Sequence, residues 1–360
     1  TVTVELGDRS YPVHIGPGVI ADTGAVVGGI APGVRAVVVT DSRVADLYLA
    51  DVLASLRDAG LTAEAITIPA GEASKTLEQA GKIYDSMLDF GMERSSLVIG
   101  LGGGVVTDIA GFIAATYMRG LAWVAVPTTL LGQVDASVGG KTAVDHPRCK
   151  NLIGAFHQPR AVVADTAVLK TLDESDFANG LAEVVKHAVI RNAELFALLE
   201  ENVDAVLARD EAIMTRVVAL NIGIKAKVVG QDETEGGLRL ILNYGHTIGH
   251  ALEAAAAYEG LTHGQAVAMG MAAAGRIARG RGMWTAEEFS RQNHLTEAFG
   301  LPTGPGGKID TDKILRLLRH DKKVQQGKVR FILPRAIGRV EVVSDVSEKE
   351  VLDALQHIEP

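Results

Sequence analysis

Five short apolar runs in the first half of the chain limit its fold more than any other feature. They are Ala36–Thr40, Ala63–Ile68, Leu97–Leu101, Trp123–Pro127 and Ala161–Asp165. Helical patterns and glycine turns separate them. A strand that is apolar on both sides needs cover on both faces, and strands that alternate with helices pair in parallel. The N-terminal part is therefore expected to be α/β, with a Rossmann-like parallel sheet. Beyond Leu172 the texture becomes all-α, with helical patterns over 176–191, 193–208, 210–229, 246–257, 262–280 and 285–299. Val329–Pro334 and Arg339–Val343 read as a small hairpin on that second part. At 360 residues the chain exceeds an ordinary single domain, so a division into 1–170 and 171–360 is expected. The cleft between two such domains is where a ligand site is expected.

Charge and composition exclude several function classes. The net charge of -9 argues against nucleic acid as a partner, so any anionic ligand needs a local basic pocket. No apolar run reaches the roughly 18 residues that span a bilayer, so no membrane partner is expected. Thr1–Leu6 reads as a strand and carries no basic or apolar leader pattern. The one cysteine, Cys149, excludes an internal disulfide and fits a reducing cytoplasm. Glycine is abundant, at 40 residues, which points to tight turns and close backbone approach to ligands.

The run Gly100-Leu101-Gly102-Gly103-Gly104-Val105-Val106-Thr107-Asp108 follows a buried strand and opens a helix, expected from Asp108 to Ala115. That geometry sets backbone N–H groups and a helix N-terminus against a pyrophosphate. The match to G-x-G-x-x-G is partial, because Val105 stands where that spacing wants glycine, and a plain tight turn is the alternative. Asp41, just past an earlier strand, suits a ribose hydroxyl. Gly71-Glu72-Ala73-Ser74-Lys75 and Pro127-Thr128-Thr129 also follow strands. Dinucleotide binding is the reading these positions favour together. Arg119, Lys141, Lys150 and Asn151 lie in or beside turns, while Lys225, Arg239, Lys322 and Lys323 come from the helical half. Any one of them is an ordinary surface cation; glycine-flanked lysines beside Asn and Thr suit a phosphorylated ligand.

His246, His250 and His263 stand in an otherwise apolar, Gly- and Ala-rich stretch. Imidazole is a common zinc ligand, and a catalytic zinc keeps three protein ligands and an open position. Glu183, in another apolar helical stretch, can complete such a set. By spacing alone His246 and His250 form the i, i+4 pair. Capped surface histidines remain the alternative.

Taken in order, these residues carry a family resemblance. The motifs are Gly102-Gly103-Gly104-(x)3-Asp108, Arg119-Gly120, Pro127-Thr128-Thr129-Leu130, Asp135-(x)3-Gly139-Gly140-Lys141, and Lys150-Asn151-(x)2-Gly154-(x)-Phe156. They continue with Glu183-(x)2-Lys186, Asn243-(x)-Gly245-His246-(x)3-His250, His263-Gly264 and Asp321-Lys322-Lys323. This series, over nearly the whole chain, closely resembles the 3-dehydroquinate synthases. The resemblance implies conversion of 3-deoxy-D-arabino-heptulosonate 7-phosphate to 3-dehydroquinate and phosphate, the second step of the shikimate pathway. It implies bound NAD and a divalent metal, zinc with cobalt as substitute. The implied course is transient oxidation by NAD, phosphate elimination, re-reduction and intramolecular aldol closure. A homodimer is implied too, with Arg119 reaching the substrate phosphate across the subunit boundary.

The resemblance places the metal on Glu183, His246 and His263, and moves His250 to the substrate side. It places NAD against Asp41, Glu72, Lys75, Gly104, Val105, Val106, Thr107, Asp108, Thr128, Thr129, Lys141, Lys150 and Thr171. Substrate contacts carry over to Asp135, Lys141, Asn151, Lys186, Lys225, Arg239, Asn243, His250 and one of Lys322 and Lys323. Cys149 departs from the glycine expected before Lys150-Asn151; it reads as a tolerated substitution with no catalytic role. Three alternatives share some of these features: another NAD- and metal-dependent sugar-phosphate cyclase, a metal-dependent polyol dehydrogenase that releases NADH, and a non-catalytic NAD-binding or zinc-stabilised scaffold.

Overall fold

The computed structural model describes residues 1–256, 260–304, 310–319 and 329–356. The chain forms two compact units, Thr1–Asp173 with Met214–Gly230, and Glu174–Ile213 with Gln231–Pro360. The stretch Met214–Gly230 thus goes with the first unit, whereas the division at 170/171 assigned it to the second.

The first unit is built on strands β1 (Val2–Val4), β2 (Tyr11–Gly16), β3 (Arg35–Asp41), β4 (Thr62–Ile68), β5 (Leu97–Gly102), β6 (Ala122–Pro127) and β9 (Ala161–Asp165). They form one sheet in the order β1-β2-β9-β6-β5-β3-β4. Only β1 runs antiparallel to its neighbour β2, with Val2 opposite Val13. The five apolar runs are all strands of this sheet; β3, β5, β6 and β9 are buried as their composition implies, whereas β4 is an edge strand in which only Ile68 is buried. Val38 packs on one side with Val27, Val52 and Leu56, and Val37 and Val39, which face the other way, are also fully buried. Strand β2 escapes the apolar criterion because Pro12 and His14 interrupt it; only three of its six positions are fully buried.

A separate antiparallel ribbon pairs β7 (Lys141–His146) with β8 (Cys149–Phe156). Lys150 and Asn151 therefore lie in a strand, beside the turn rather than in it. The turn is at Pro147–Arg148, and β8 is largely exposed, so it lacks the apolar continuity by which buried strands are recognised.

The second unit is mainly helical: Glu174–Arg191, Ala193–Glu201, Val203–Leu207, His246–Ala255, His263–Gly280, Ala286–Ala298, Thr311–Arg319 and Glu348–Gln356. The helix expected over 193–208 breaks at Asn202, whose backbone is non-helical and whose amide donates to Leu198 O at 2.8 Å. Such side-chain bonding to the backbone competes with a continuing helix. The expected hairpin is present as β10 (Phe331–Ala336) and β11 (Arg339–Val343). Arg281, after the His263–Gly280 helix, ties down the C-terminal helix through Glu350 Oε1 at 2.6 Å and Asp345 Oδ1 at 2.7 Å. Among the described residues no helix is long and apolar enough to cross a membrane.

Candidate active site

In the first unit the sheet's carboxyl ends gather the residues proposed for a nucleotide. Strands β3 and β5 are parallel neighbours, so Asp41 ends beside Leu101-Gly102. Gly102 in turn lies opposite Pro127, and Thr128 N donates to Gly102 O at 3.0 Å. The helix after β5 runs Gly104–Thr116 with Gly103 as its N-cap, four residues earlier than the sequence suggests. The glycine run is thus itself the helix N-terminus, which puts the N–H groups of Gly104, Val105 and Val106 at its open end, while Thr107 N already donates to Gly103 O at 3.0 Å. A Cβ on Gly103 would come within 2.9 Å of Thr129 Cγ2, so a side chain here would displace that of Thr129. Asp41 caps its own following turn, accepting from Arg43 N at 2.9 Å and Val44 N at 3.1 Å. Thr171 lies past β9, where its hydroxyl meets Tyr48 OH at 2.5 Å.

A charged cluster lies beside this edge. Lys75 is buried, with Nζ 2.6 Å from Asp108 Oδ2 and 2.5 Å from Asn151 Oδ1, and Glu72 at 3.7 Å. Burial works against the Lys75 ammonium, but Asp108 and Glu72 outweigh it and raise its pKa. For Asp108 burial prevails over Lys75 and lifts the carboxyl above its usual range. Burial likewise raises Glu72, with Asp145 adding to the effect and Lys75 opposing it. Asn151 adopts a left-handed backbone at φ 53°, and its N–H donates to Asp145 Oδ1 at 2.7 Å. Asp145 is thus a shared partner of this cluster that the sequence did not single out. Lys225 is buried on Asp135, Nζ to Oδ1 2.6 Å. Lys141 and Lys150 sit on the β7–β8 ribbon. Arg119 occupies an exposed turn in which Met118, Arg119 and Gly120 all have positive φ.

The second unit brings the carboxylate and the histidines together. Glu183 lies on the Glu174–Arg191 helix, fully buried and ion-paired with Lys186 on the next turn. His246 Nε2 and His263 Nε2 stand 3.5 and 3.6 Å from Glu183 Oε1. A tetrahedral ion with each ligand about 2.0–2.1 Å away holds its ligand atoms roughly 3.3–3.5 Å apart. Each ring nitrogen is therefore spaced from the carboxylate as a co-ligand would be. Neither Glu183 oxygen has a hydrogen bond of proper geometry, and a buried carboxylate in that state needs facing cations, which Lys186 supplies here and a bound metal ion would add to. The donor set of one carboxylate and two imidazoles fits a divalent metal such as zinc. The i, i+4 alternative fails on this point: His250 packs edge-on to the His246 ring, 5.1 Å between centroids, and is not a member of the Glu183 group.

Small residues make this convergence feasible. A Cβ on Gly270 would lie 1.9 Å from Gly245 O, and one on Gly264 would lie 2.5 Å from Asn179 O. The His263 helix thus touches the backbone of both other ligand-bearing helices. Thr262 and Gln265 form a capping box that fixes where that helix starts, with Thr262 N donating to Gln265 Oε1 at 3.0 Å. His246 Nδ1 meets Tyr244 O at 3.0 Å, and the Tyr244 hydroxyl donates to Gln292 Oε1 at 2.6 Å. Arg239 is buried with its guanidinium on the Glu233 carbonyl, and its backbone N–H donates to Asp232 Oδ2 at 2.9 Å. Asn243 Nδ2 donates to Glu235 Oε1 at 2.7 Å. Lys322 and Lys323 lie outside the described residues.

Two family descriptions match adjoining stretches of the chain, 3-dehydroquinate synthase N-terminal over residues 65–179 and 3-dehydroquinate synthase C-terminal over residues 180–324. The chain belongs to the 3-dehydroquinate synthase family. The 3-dehydroquinate synthase of Desulforamulus reducens is 47% identical over 355 residues, 99% of either chain. Among solved structures, the 2-epi-5-epi-valiolone synthase of Streptomyces hygroscopicus subsp. jinggangensis, with NAD+ and Zn2+ bound, is 31% identical. Its TM-score is 0.89, and the match covers 99% of this chain and 98% of that one. A 2-deoxy-scyllo-inosose synthase complexed with carbaglucose-6-phosphate, NAD+ and Co2+ is 26% identical, with TM-score 0.88 and 99% of both chains covered. Glu235, on Asn243, and Glu253, on His263, are second-unit carboxylates that the sequence reading passed over. Glu253 was legible, since it extends His246-(x)3-His250 by a further turn of the same helix face.

Proposed function

We propose that the chain catalyses the 3-dehydroquinate synthase reaction, turning 3-deoxy-D-arabino-heptulosonate 7-phosphate into 3-dehydroquinate and phosphate. The observation that carries this is the full-length match to curated 3-dehydroquinate synthases at 47% identity. Both solved cyclases hold NAD+ and a divalent metal, and this chain has the donor set and the glycine-capped helix to hold the same groups. Bound, NAD supplies a reversible hydride acceptor and the metal supplies Lewis acidity toward substrate hydroxyls. Glu183, His246 and His263 would hold the metal, zinc by preference. Asp41, Glu72, Lys75, the Gly104–Asp108 turn, Thr128, Thr129, Lys141, Lys150 and Thr171 would hold NAD.

The remaining residues bind and orient. Lys186 and Arg239 are buried cations suited to the substrate carboxylate and hydroxyls. Asn243 and His250 add hydrogen bonds in the second unit; Asp135, Asn151 and Lys225 do so in the first. One of Lys322 and Lys323 would join the phosphate contacts. Orientation of this kind is worth up to about 7–11 kcal/mol of barrier in favourable cases. Self-association is favoured by exposed apolar side chains of the first unit, Met118, Leu152 and Phe156, and a homodimer would place Arg119 at a partner's phosphate. The single cysteine favours a cytoplasmic setting.

The deciding assay follows phosphate release from the heptulosonate substrate and absorbance at 340 nm together. Phosphate release that stops on chelation, with no net NADH, is expected. Stoichiometric NADH would overturn the reading in favour of a dehydrogenase.

Metal loading should also depend on pH. Burial lowers the pKa of His263, but the carboxylates of Glu183 and Glu253 outweigh it and push the metal-free ring up to about 9. The ring must give up that proton to bind an ion through Nε2. Apparent affinity should therefore rise about tenfold per pH unit between pH 7 and pH 9, then level off. Titrations in metal buffers at several pH values would test this; a flat profile over that window would contradict it.

A further inference from the structure

One face of the His246–Ala255 helix carries His246, His250 and Glu253, at i, i+4 and i+7. His246 lies toward Glu183, whereas Glu253 reaches to the neighbouring helix. Its Oε2 is 3.2 Å from Nδ1 of His263, and its side chain is 9% exposed. Withdrawing a carboxylate from water is costly without a hydrogen-bonded partner, and one partner here is a residue of the metal set. An imidazole held at Nδ1 is fixed in rotation and tautomer, with Nε2 left to donate its lone pair.

We infer that Glu253 is the positioning residue for His263: it accepts the Nδ1–H and turns Nε2 onto the ion shared with Glu183 and His246. The inference rests on the metal reading above. It makes the His246–Ala255 helix responsible for two of the three ligands, one supplied directly and one braced from across the helix pair. The two imidazoles are also braced unequally. His246 Nδ1 meets a neutral carbonyl, that of Tyr244, while His263 Nδ1 meets a carboxylate. A carboxylate makes the ring a stronger donor, so His263 is the ligand whose strength depends on a side chain that a single substitution removes.

The test compares wild type, Glu183→Gln, Glu253→Gln and Glu253→Ala in the full-length protein. Cobalt affinity is read by chelator competition, and the ligand field by the visible absorption of the Co2+-loaded protein. Outer-shell partners are worth about 10–100-fold in metal affinity. Glu253→Gln keeps an acceptor oxygen and loses the charge, so it should fall near the lower figure and Glu253→Ala near the upper. Both should shift the cobalt bands, which a merely structural role would leave alone, and the melting temperature of metal-free Glu253→Gln should match wild type. If Glu253→Ala fails to fold, the Gln variant decides alone. Wild-type affinity and an unshifted spectrum in Glu253→Gln, with Glu183→Gln unable to bind, would overturn the role of Glu253 and leave the metal site standing. Binding by Glu183→Gln equal to wild type would remove the metal reading and this inference with it.

Discussion

Glu183→Gln is expected to lose metal and turnover together while the protein remains folded. The substitution keeps the size of the side chain and its hydrogen-bonding reach, and removes the charge that faces His246 Nε2 and His263 Nε2. In the metal-free protein the Glu183 carboxyl is held well below its usual range: burial opposes ionisation, but Lys186, His246 and His263 outweigh it. The site is therefore charged and ready to receive an ion without first giving up a proton at the carboxylate. Removing a direct ligand should weaken the metal by more than the roughly 10–100-fold due to outer-shell partners. A Lewis acid contributes several kcal/mol to the transition state, and each 1.36 kcal/mol is tenfold, so turnover should fall by about 10²–10³ or more. Lys186 loses its buried counter-charge, and breaking a buried pair costs about 3–5 kcal/mol. The Gln carbonyl remains as an acceptor for Nζ and offsets part of that. Metal content, turnover and the melting curve of the metal-free variant check the three statements separately. Full turnover with a full complement of metal would sink the assignment of Glu183.

How much of this was legible follows the physics of each segment. Strands β3, β5, β6 and β9 were readable because burial on both faces leaves an unbroken apolar signature, as in Ala36-Val37-Val38-Val39; β4, at the sheet edge, is mostly exposed. The β7–β8 ribbon was not, because β8 lies mostly at the surface and its turn at Pro147–Arg148 has no glycine. The start of the helix after β5 was misread for the opposite reason. Gly102, Gly103 and Gly104 look like a turn, yet Gly104 already belongs to the helix. Cys149 sits opposite His146 at the end of the ribbon, so the position tolerates a side chain. In the second unit the donor types were evident but their pairing was not. Helical spacing joins His246 to His250, whereas the structure joins His246 to His263 and Glu183 on two other helices. Local periodicity reports neighbours on one helix; it carries no information about which helix lies across. The Gly- and Ala-rich composition around the histidines held that missing information in a form that only the packing makes readable.

Gly270→Ala is the second change expected to have a large effect, because the close approach of two ligand-bearing helices depends on the absence of a side chain there. The added Cβ would meet only backbone: Gly245 O at 1.9 Å, Gly245 C at 2.9 Å and Gly249 N at 2.9 Å. No rotamer change can relieve such a contact, so the His246–Ala255 and His263–Gly280 helices must separate. Overpacking usually costs about 1–3 kcal/mol, and a clash with backbone belongs at or above the top of that range. For a unit of this size about 3 kcal/mol lowers the melting temperature by roughly 6–12 °C. The same displacement pulls His246 away from His263, so the fraction that still folds should bind metal more weakly. Gly280→Ala supplies the contrast on the same helix, since a Cβ there meets nothing within 4 Å. With no contact to relieve, it should be neutral or stabilise by up to about 1 kcal/mol through helix propensity and a less flexible unfolded chain. Melting curves and metal affinities for both variants decide the matter. If Gly270→Ala melts and binds like Gly280→Ala, backbone contact between these helices is not what sets the distance between the two histidines.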